Sequence, residues 1–445
     1  MNKKIGFISL GCAKNLTDTE TMVGILSADG FEITADPAEA HIIVVNTCAF
    51  IDSAKEESID AILEMAEQKD GMCELLIVTG CLSQRYKDEL AKELPEVDIV
   101  LGTNDYPEIS RVIKEFYDKK QKIVEVSSEN TPVSYDLPRI QTTPFYSAYL
   151  KIADGCDNFC TYCIIPKLRG KFRSRPLESI VAEAKKLVSD GVKEIILVAQ
   201  DTACYGKDTS TSLDNLLREL SKIDGLEWIR LQYCYPENIT DSLIEEIARN
   251  KKVVKYLDMP LQHISDNVLK RMGRRSRQKD VENLICKLRS KIPDICLRTS
   301  LITGFPGETQ EDFEILKKFL IKYKIDKVGV FTYSREEGTP AYNYDGQIDE
   351  ETKISRRDAL MEIQQEISLS INNSKIGKVV PVIIEGYDET EFCYVGRCSF
   401  DTPDVDGAAY IYSEEEQSAG DITYIEIIDF SEYDVVGKTI SRKDD

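Results

Sequence analysis

Tyr149-Leu150-Lys151-Ile152-Ala153-Asp154-Gly155-Cys156-Asp157-Asn158-Phe159-Cys160-Thr161-Tyr162-Cys163 is a strand-like run that passes directly into a CxxxCxxC loop. Three thiolates at this spacing can hold three corners of a 4Fe-4S cluster, and with no further cysteine before Cys204 one iron is left open to another ligand. An open iron makes a redox cluster a binding site for a reactant. The Cys160/Cys163 pair alone also suits a zinc knuckle, but such a site needs a second pair or histidines close by, and neither is present here.

Around this loop, apolar runs at 147–153, 194–199, 228–232, 254–259, 296–302 and 326–333 alternate with helical patterns at about 177–190, 213–223, 239–249, 278–291 and 308–323. Short continuous apolar runs separated by helical periods read as successive βα units, and six of them predict an open, partial TIM-like barrel. The active site of such a barrel lies at the carboxyl ends of its strands, and the cysteine loop follows the first.

Upstream, Lys4-Ile5-Gly6-Phe7-Ile8-Ser9-Leu10, Ile42-Ile43-Val44-Val45-Asn46 and Leu75-Leu76-Ile77-Val78-Thr79 read as buried parallel strands, with helices near 14–28, 52–67 and 83–93. Each strand is followed closely by a cysteine: Cys12, Cys48 and Cys81. Carboxyl ends of parallel strands share one sheet edge, so three thiols 36 and 33 residues apart can converge on a second cluster. A single cysteine there would read as a small core residue; the threefold repetition favours a ligand set. Cys73, Cys204, Cys234, Cys286, Cys296, Cys393 and Cys398 show no such pattern and read as core or surface thiols.

Residues 118–145 carry Lys-rich and polar stretches and then Pro132, Pro138 and Pro144 without periodicity, as an extended linker does. After the helical stretch 356–371, the runs 379–385, 392–397, 409–412 and 423–428 are short, β-rich and separated by Gly, Asp and Pro turns, which predicts a small antiparallel β-barrel. The expected organisation is α/β and multidomain: a parallel α/β cluster domain over 1–120, a linker over 121–144, the partial (βα)6 barrel over 145–371 and the small barrel over 372–441.

No opening segment resembles a signal peptide, and no apolar run approaches ~18 residues, so a soluble cytoplasmic protein without membrane contact is expected. Thirteen cysteines in such a chain argue for metal or redox chemistry rather than disulfides, and two histidines exclude a histidine-rich metal site. The formal charge is -22, and residues 373–445 alone hold 17 acidic and 6 basic residues. That balance disfavours direct nucleic-acid binding, which depends on Lys and Arg against phosphates, and favours a basic partner. Basic residues gather after the cysteine loop, at Lys167, Arg169, Lys171, Arg173 and Arg175, and again from Lys270 to Lys279. The first group is placed to draw in an anionic group, although such runs equally coat a solvated face.

With these blocks in place, the whole chain resembles the radical S-adenosylmethionine (SAM) methylthiotransferases, which combine an amino-terminal cluster domain, a radical SAM domain and a TRAM barrel. The resemblance implies two 4Fe-4S clusters, on Cys12, Cys48 and Cys81 and on Cys156, Cys160 and Cys163, with SAM chelating the open iron of the second. It also implies a methylthio group placed on an unactivated carbon, one SAM serving as radical source and another as methyl donor. Gln200 and Asp201, just beyond a strand, would bond the amino-acid part of SAM. The turn Gly304-Phe305-Pro306-Gly307-Glu308 is similar to one that lies near the adenosine, and Tyr162 would cover the cluster or stack near adenine. An electron donor such as flavodoxin or ferredoxin is expected.

Within the family, Gln200-Asp201-Thr202-Ala203-Cys204-Tyr205-Gly206 and Gly396-Arg397-Cys398-Ser399-Phe400-Asp401-Thr402-Pro403-Asp404-Val405-Asp406-Gly407 resemble the RimO type, which modifies an aspartate β-carbon of small-subunit ribosomal protein twelve. Asp401, Asp404 and Asp406 would then approach the basic protein, while Lys167, Arg169 and Lys171 attract the target carboxylate. The alternatives are the MiaB branch, which modifies tRNA adenosines, and a non-catalytic iron-sulfur electron carrier.

Overall fold

The computed structural model describes residues 3–131 and 134–440. Residues 1–2 of the first expected block, Pro132 of the linker and Ser441 at the end of the third block lie outside these.

Strands β1 (Lys4–Ser9), β2 (Glu32–Ile33), β3 (Ile42–Thr47), β4 (Leu75–Gly80), β5 (Ile99–Leu101) and β6 (Ile123–Glu125) form a parallel sheet in the order β2-β1-β3-β4-β5-β6. Parallel neighbours need crossovers, here mainly α1 (Ala13–Ala28), α2 (Asp52–Glu67), α3 (Cys81–Glu93) and α4 (Ile109–Lys119). β3 and β4 are buried throughout because both faces are covered. Met22 and Leu26 of α1 pack with Ile109 and Val112 of α4 on one side, and Ile62 of α2 with Leu82 and Leu90 of α3 on the other. Each fully buried Ile or Val contributes about 1.5–3 kcal/mol. The strand order switches direction between β1 and β3, the place where open α/β sheets bind ligands. Cys12 and Cys48 follow those two strands, and Cys81 follows β4.

The supposed linker begins with an element that the sequence reading left out. Residues 123–125 extend the first sheet as its edge strand, paired in register with residues 99–101. Three residues are too short to show a periodicity, so only their pairing identifies them.

The second sheet contains β7 (Ser147–Lys151), β10 (Glu194–Val198), β11 (Trp228–Leu231), β12 (Val253–Asp258), β13 (Cys296–Thr303) and β14 (Lys327–Thr332), all parallel and open, in the order β14-β13-β12-β11-β10-β7. Between its first strands stand the two-residue strands β8 (Ala153–Asp154) and β9 (Arg173–Ser174), which pair with each other. Its helices are α5 (Ile165–Arg169), α6 (Leu177–Ser189), α7 (Leu213–Ser221), α8 (Asp241–Arg249), α9 (Asp266–Arg271), α10 (Gln278–Lys291), α11 (Gln310–Tyr323) and α12 (Glu350–Asn373). Leu216, Ile244, Ile285 and Leu316 seal the outer face in one continuous core. The inner face is covered differently. Ala13 and Leu16 of α1 pack with Tyr233 against Tyr149, Ile196 and Val198, so the first domain's helix fills part of the open barrel.

The last five strands, β15 (Val379–Asp388), β16 (Cys393–Cys398), β17 (Ala409–Tyr412), β18 (Ile422–Phe430) and β19 (Val435–Thr439), close into a barrel around Val382, Ile384, Ile411, Ile425 and Ile427. Its pairings are antiparallel except that β17 and β19 run parallel. This closure removes sheet edges. Among the described residues no helix is long and apolar enough to cross a membrane.

Candidate functional site

Cys12 stands at the start of α1, and the cysteine's neighbours hold the strand ends together. Asn15 Nδ2 donates to the carbonyls of Leu10 and Thr47, at 3.0 and 2.9 Å, tying the chain before Cys12 to the chain before Cys48. Ser58 holds Cys48 from the other side, accepting from its N–H at 3.0 Å and donating to its carbonyl at 2.9 Å. Gly11 leaves the necessary space. At φ +88° a Cβ there would lie 2.8 Å from Cys48 Cβ and 3.0 Å from its Sγ.

The three thiols lie within electrostatic reach of one another. Burial pushes Cys81 up to about 12 and also raises Cys48. Burial acts the same way on Cys12, but the cations of Lys14 and Arg169 outweigh it and hold that thiol below its ordinary value. Three thiolates in so dry a place repel each other, and a bound polycationic group would relieve the repulsion.

The second triad sits beyond β7 in a loop clamped at both ends. The Cys156 N–H donates to Gly170 O at 3.1 Å, Thr161 N–H to Met272 O at 3.0 Å, and Cys163 N–H to Cys160 O at 3.0 Å. Gly155, at φ +79°, passes so close to Lys171 that a Cβ would fall 2.0 Å from its carbonyl oxygen. Burial raises Cys156 to about 11, and it lifts Cys163 further, with Cys160 and Cys156 adding to the rise. Asn158 Nδ2 reaches Cys156 Sγ at 3.5 Å and Asp201 Oδ2 at 2.9 Å, while the Tyr235 hydroxyl lies 3.8 Å from Cys160 Sγ. Among the described residues no three His, Cys, Asp or Glu side chains close around one metal ion. Three thiols are the number that would hold three irons of a 4Fe-4S cluster, one each, with the fourth iron open.

Residues expected near SAM gather at this edge. Gln200 Nε2 donates to Asp154 Oδ1 at 2.8 Å, and Asp201 accepts from Asn158, Asn238 Nδ2 at 2.6 Å and the Tyr235 N–H at 3.3 Å. Burial raises the Asp201 carboxyl, and these donors work against the rise. Among the described residues Gln200 Oε1, Thr202 Oγ1 and the Tyr162 hydroxyl are buried and meet no hydrogen-bond partner, so acceptor and donor capacity remains for a polar ligand. Tyr162 packs edge-on to Phe305, 6.4 Å between ring centres, whereas Phe159 is 62% exposed at the loop's apex. Glu308 is engaged within its own turn. Its carboxylate accepts from the N–H groups of Gly304 and Phe305, at 2.7 and 3.2 Å, and pairs with Arg356 at 2.8 Å. It therefore shapes the turn from within. The Gly307 N–H donates to Gly346 O at 2.8 Å.

The charged residues expected to meet substrate divide sharply. Lys167 and Lys171 are exposed, but Arg169 is 2% exposed. Its guanidinium bonds Asp18 at 2.8 Å, Asp154 at 3.3 Å and Asn15 Oδ1 at 2.6 Å, joining the first domain to the second. An Arg with its donors so engaged is not free to attract a carboxylate. The acidic turn is also largely internal. Asp401 pairs with Lys327 at 2.7 Å, and Asp406 accepts from the Tyr256 hydroxyl and the Thr402 N–H, at 2.8 and 2.9 Å. Only Asp404 is exposed. Sequence reasoning saw the negative charge but not the cations buried under it.

It also missed Lys14, Asp154, Asn158, Tyr233 and Tyr235. Lys14 and Asp154 stand two residues from a cysteine, a signal available beforehand, whereas the tyrosines follow β11 and carry none. Cys204, read as an ordinary thiol, lies within electrostatic reach of Asp201 and Cys156.

Residues 4–102 match the uncharacterized protein family UPF0004, residues 150–320 the radical SAM superfamily, and residues 376–440 the TRAM domain. The fold is similar to the radical S-adenosylmethionine methyltransferase TsrM from Kitasatospora setae, solved with cobalamin and a [4Fe-4S] cluster bound, with a TM-score of 0.57, 16% identity and 77% of each chain covered. It is similar as well to the cobalamin-dependent S-adenosylmethionine radical enzyme OxsB, with a TM-score of 0.52, 14% identity, and 91% of this chain and 65% of that one covered. These two likenesses concern the fold alone. Sequence relatives are much nearer. The ribosomal protein uS12 methylthiotransferase RimO of Acetivibrio thermocellus is 52% identical over 450 residues, covering 99% of each chain. That of Geobacter sulfurreducens is 52% identical, again over 99% of each, and that of Clostridium botulinum 54%, over 98% of this chain and 97% of its own. Sharing half its residues with them from end to end, and holding the radical SAM and TRAM regions in the same chain, the protein belongs to the RimO family of radical SAM methylthiotransferases.

Proposed function

We propose that the protein places a methylthio group on the β-carbon of an aspartate in ribosomal protein uS12. The observation that supports this reading best is that one short segment, Tyr233-Cys234-Tyr235 after β11, touches the surroundings of both thiol triads. Tyr233 packs against α1 and Lys14 beside Cys12, and Tyr235 approaches Cys160. A reaction that draws on two clusters needs its substrate carbon between them.

In this reading Cys156, Cys160 and Cys163 hold one 4Fe-4S cluster and Cys12, Cys48 and Cys81 the other. When bound, the clusters and SAM supply the radical that removes a hydrogen atom and the sulfur and methyl group that replace it. The chain's own residues position and exclude. Asn158 and Asp201 steady the cysteine loop, Gln200, Thr202 and Tyr162 offer unpartnered polar atoms to SAM, and the Glu308-braced turn from Gly304 to Gly307 forms a wall beside it. Lys167 and Lys171 remain exposed cations near the loop, and Asp404 an exposed anion on the small barrel. A cytoplasmic setting, with flavodoxin or ferredoxin as electron donor, suits such chemistry. The domain division, with the first block carried from 120 to 125 by β6 and the others kept at 145–371 and 372–441, assigns one cluster to each of the first two blocks.

Mass spectrometry of uS12 after anaerobic incubation with the reconstituted protein, SAM and reductant tests the proposal. A methylthio addition on one aspartate is expected. An unmodified uS12 beside a methylthiolated tRNA adenosine would overturn it in favour of the other branch.

A further inference from the structure

The first turn of α1 carries an ammonium group that no carboxylate meets. Lys14 is 8% exposed, with Nζ 3.9 Å from the centre of the Tyr233 ring. Among the described residues it has no ion pair, while the other buried charges nearby are matched, Lys151 and Arg169 against Asp18 and Asp154. Lys14 is the surplus. Withdrawing a cation from water is costly unless it is paired, and a cation–π contact returns only part of that cost. An anion arriving beside Lys14 would offset the remainder.

Its position says where that anion would stand. Cys12 lies two residues before Lys14, and the Tyr233 ring beneath its ammonium leaves the same strand end as Tyr235, whose hydroxyl is 3.8 Å from Cys160 Sγ. Lys14 therefore overlooks the strip between the two triads. We propose that Lys14 is a substrate-binding residue that pairs with the side-chain carboxylate of the aspartate to be modified, an inference that rests on the substrate reading given above. The β-carbon is bonded directly to that carboxylate, so holding the one fixes the other to within a bond length. Its site between the clusters follows. The competing role is local: Lys14 would do no more than offset the charge of Cys12 and its partner thiolates, and its removal would then cost iron and not selectivity.

The two roles separate in a binding experiment with the full-length, reconstituted protein and purified uS12 carrying either its native target aspartate or Asn in its place. A buried charged hydrogen bond is worth about 1.5–3 kcal/mol, so the native protein should bind the Asp form at least about tenfold more tightly than the Asn form. Lys14→Gln should hold its full iron content and bind both forms alike, and Lys14→Arg should keep the preference. Lys14→Met, similar in length and apolar, replaces the Gln variant if that one does not fold. A neutral variant that still prefers Asp would overturn the proposal, and so would loss of iron in both neutral variants. If the native protein binds neither form of uS12, the substrate reading itself fails and the role of Lys14 falls with it; binding without an Asp preference overturns the role alone.

Discussion

Arg397 of the small barrel and Glu194 at the start of β10 form a two-pronged ion pair across the domain boundary, with guanidinium nitrogens 2.5 and 3.2 Å from the two carboxylate oxygens. Arg230 adds a third contact at 2.8 Å, and Ser147 Oγ a fourth at 3.0 Å. Beside it, Ile383 of the barrel packs with Tyr146, Trp228, Val254 and Tyr256.

Breaking this pair should loosen the barrel from the sheet. Arg397→Ala leaves a buried carboxylate short of one cation and should cost about 3–5 kcal/mol, read as a lower urea midpoint. Acid should do the same more gradually. Burial opposes ionisation of Glu194, but Arg397 and Arg230 outweigh it and hold the carboxyl at about 2, against an ordinary 4.5. A depressed carboxyl contributes its stability fully above the ordinary value and loses it as pH falls toward the folded one. Urea midpoints should therefore decline between about pH 4.5 and 2, and the decline should be shallower in Glu194→Gln.

The two triads should be separable by substitution. Replacing Cys156, Cys160 and Cys163 with Ala should remove about half of some eight irons and abolish SAM cleavage. The triple Ala variant of Cys12, Cys48 and Cys81 should still yield 5'-deoxyadenosine yet give no methylthiolated product. Iron analysis with quantification of both products decides this, and full product formation by the second variant would reduce its cysteines to core residues.

Arg169 and its exposed neighbours should behave oppositely. Arg169→Met leaves Asp18 and Asp154 with Lys151 as their one remaining cation inside the domain interface and should cost about 3–5 kcal/mol. Lys167→Ala and Lys171→Ala, at the surface, should change stability by no more than about 0.5 kcal/mol. Thermal unfolding of the three variants provides the comparison.

The acidic turn should likewise divide. Asp401→Lys places a cation against Lys327 in a buried site and should lower the melting temperature by several degrees. Asp404→Lys should leave it nearly unchanged. If the turn also steers a basic protein, Asp404→Lys should slow uS12 association at low salt, and the difference should fade as salt rises. Stopped-flow association rates at two ionic strengths would show it.

What was legible in the sequence was whatever depends on neighbours along the chain. Ile42 to Val45 and Leu75 to Val78 announce buried strands by composition, α11 follows from its period, and Cys156, Cys160 and Cys163 share one short loop. Even Cys12, Cys48 and Cys81 were readable together, because parallel strands bring their carboxyl ends to one edge. β6 and β19 were not, being short and recognisable only by their partners.

Charge was the least legible property, since a sequence lists charges without their distances. Arg169 and Lys171 look alike in the chain, yet one is enclosed by Asp18 and Asp154 and the other meets water. Asp401 and Asp404 differ in the same way. Lys14 is the reverse case: its place two residues from Cys12 is legible, but nothing in the chain marks it as unpaired until α1 enters the open barrel and sets it over Tyr233. Periodicity and spacing, which are local, determined the elements and the cysteine loops. Which charges are paired and which are left over depends on contacts between residues on different elements, most of them distant along the chain, and in the low-dielectric interior those contacts decide what a side chain can do; only the tertiary structure sets them.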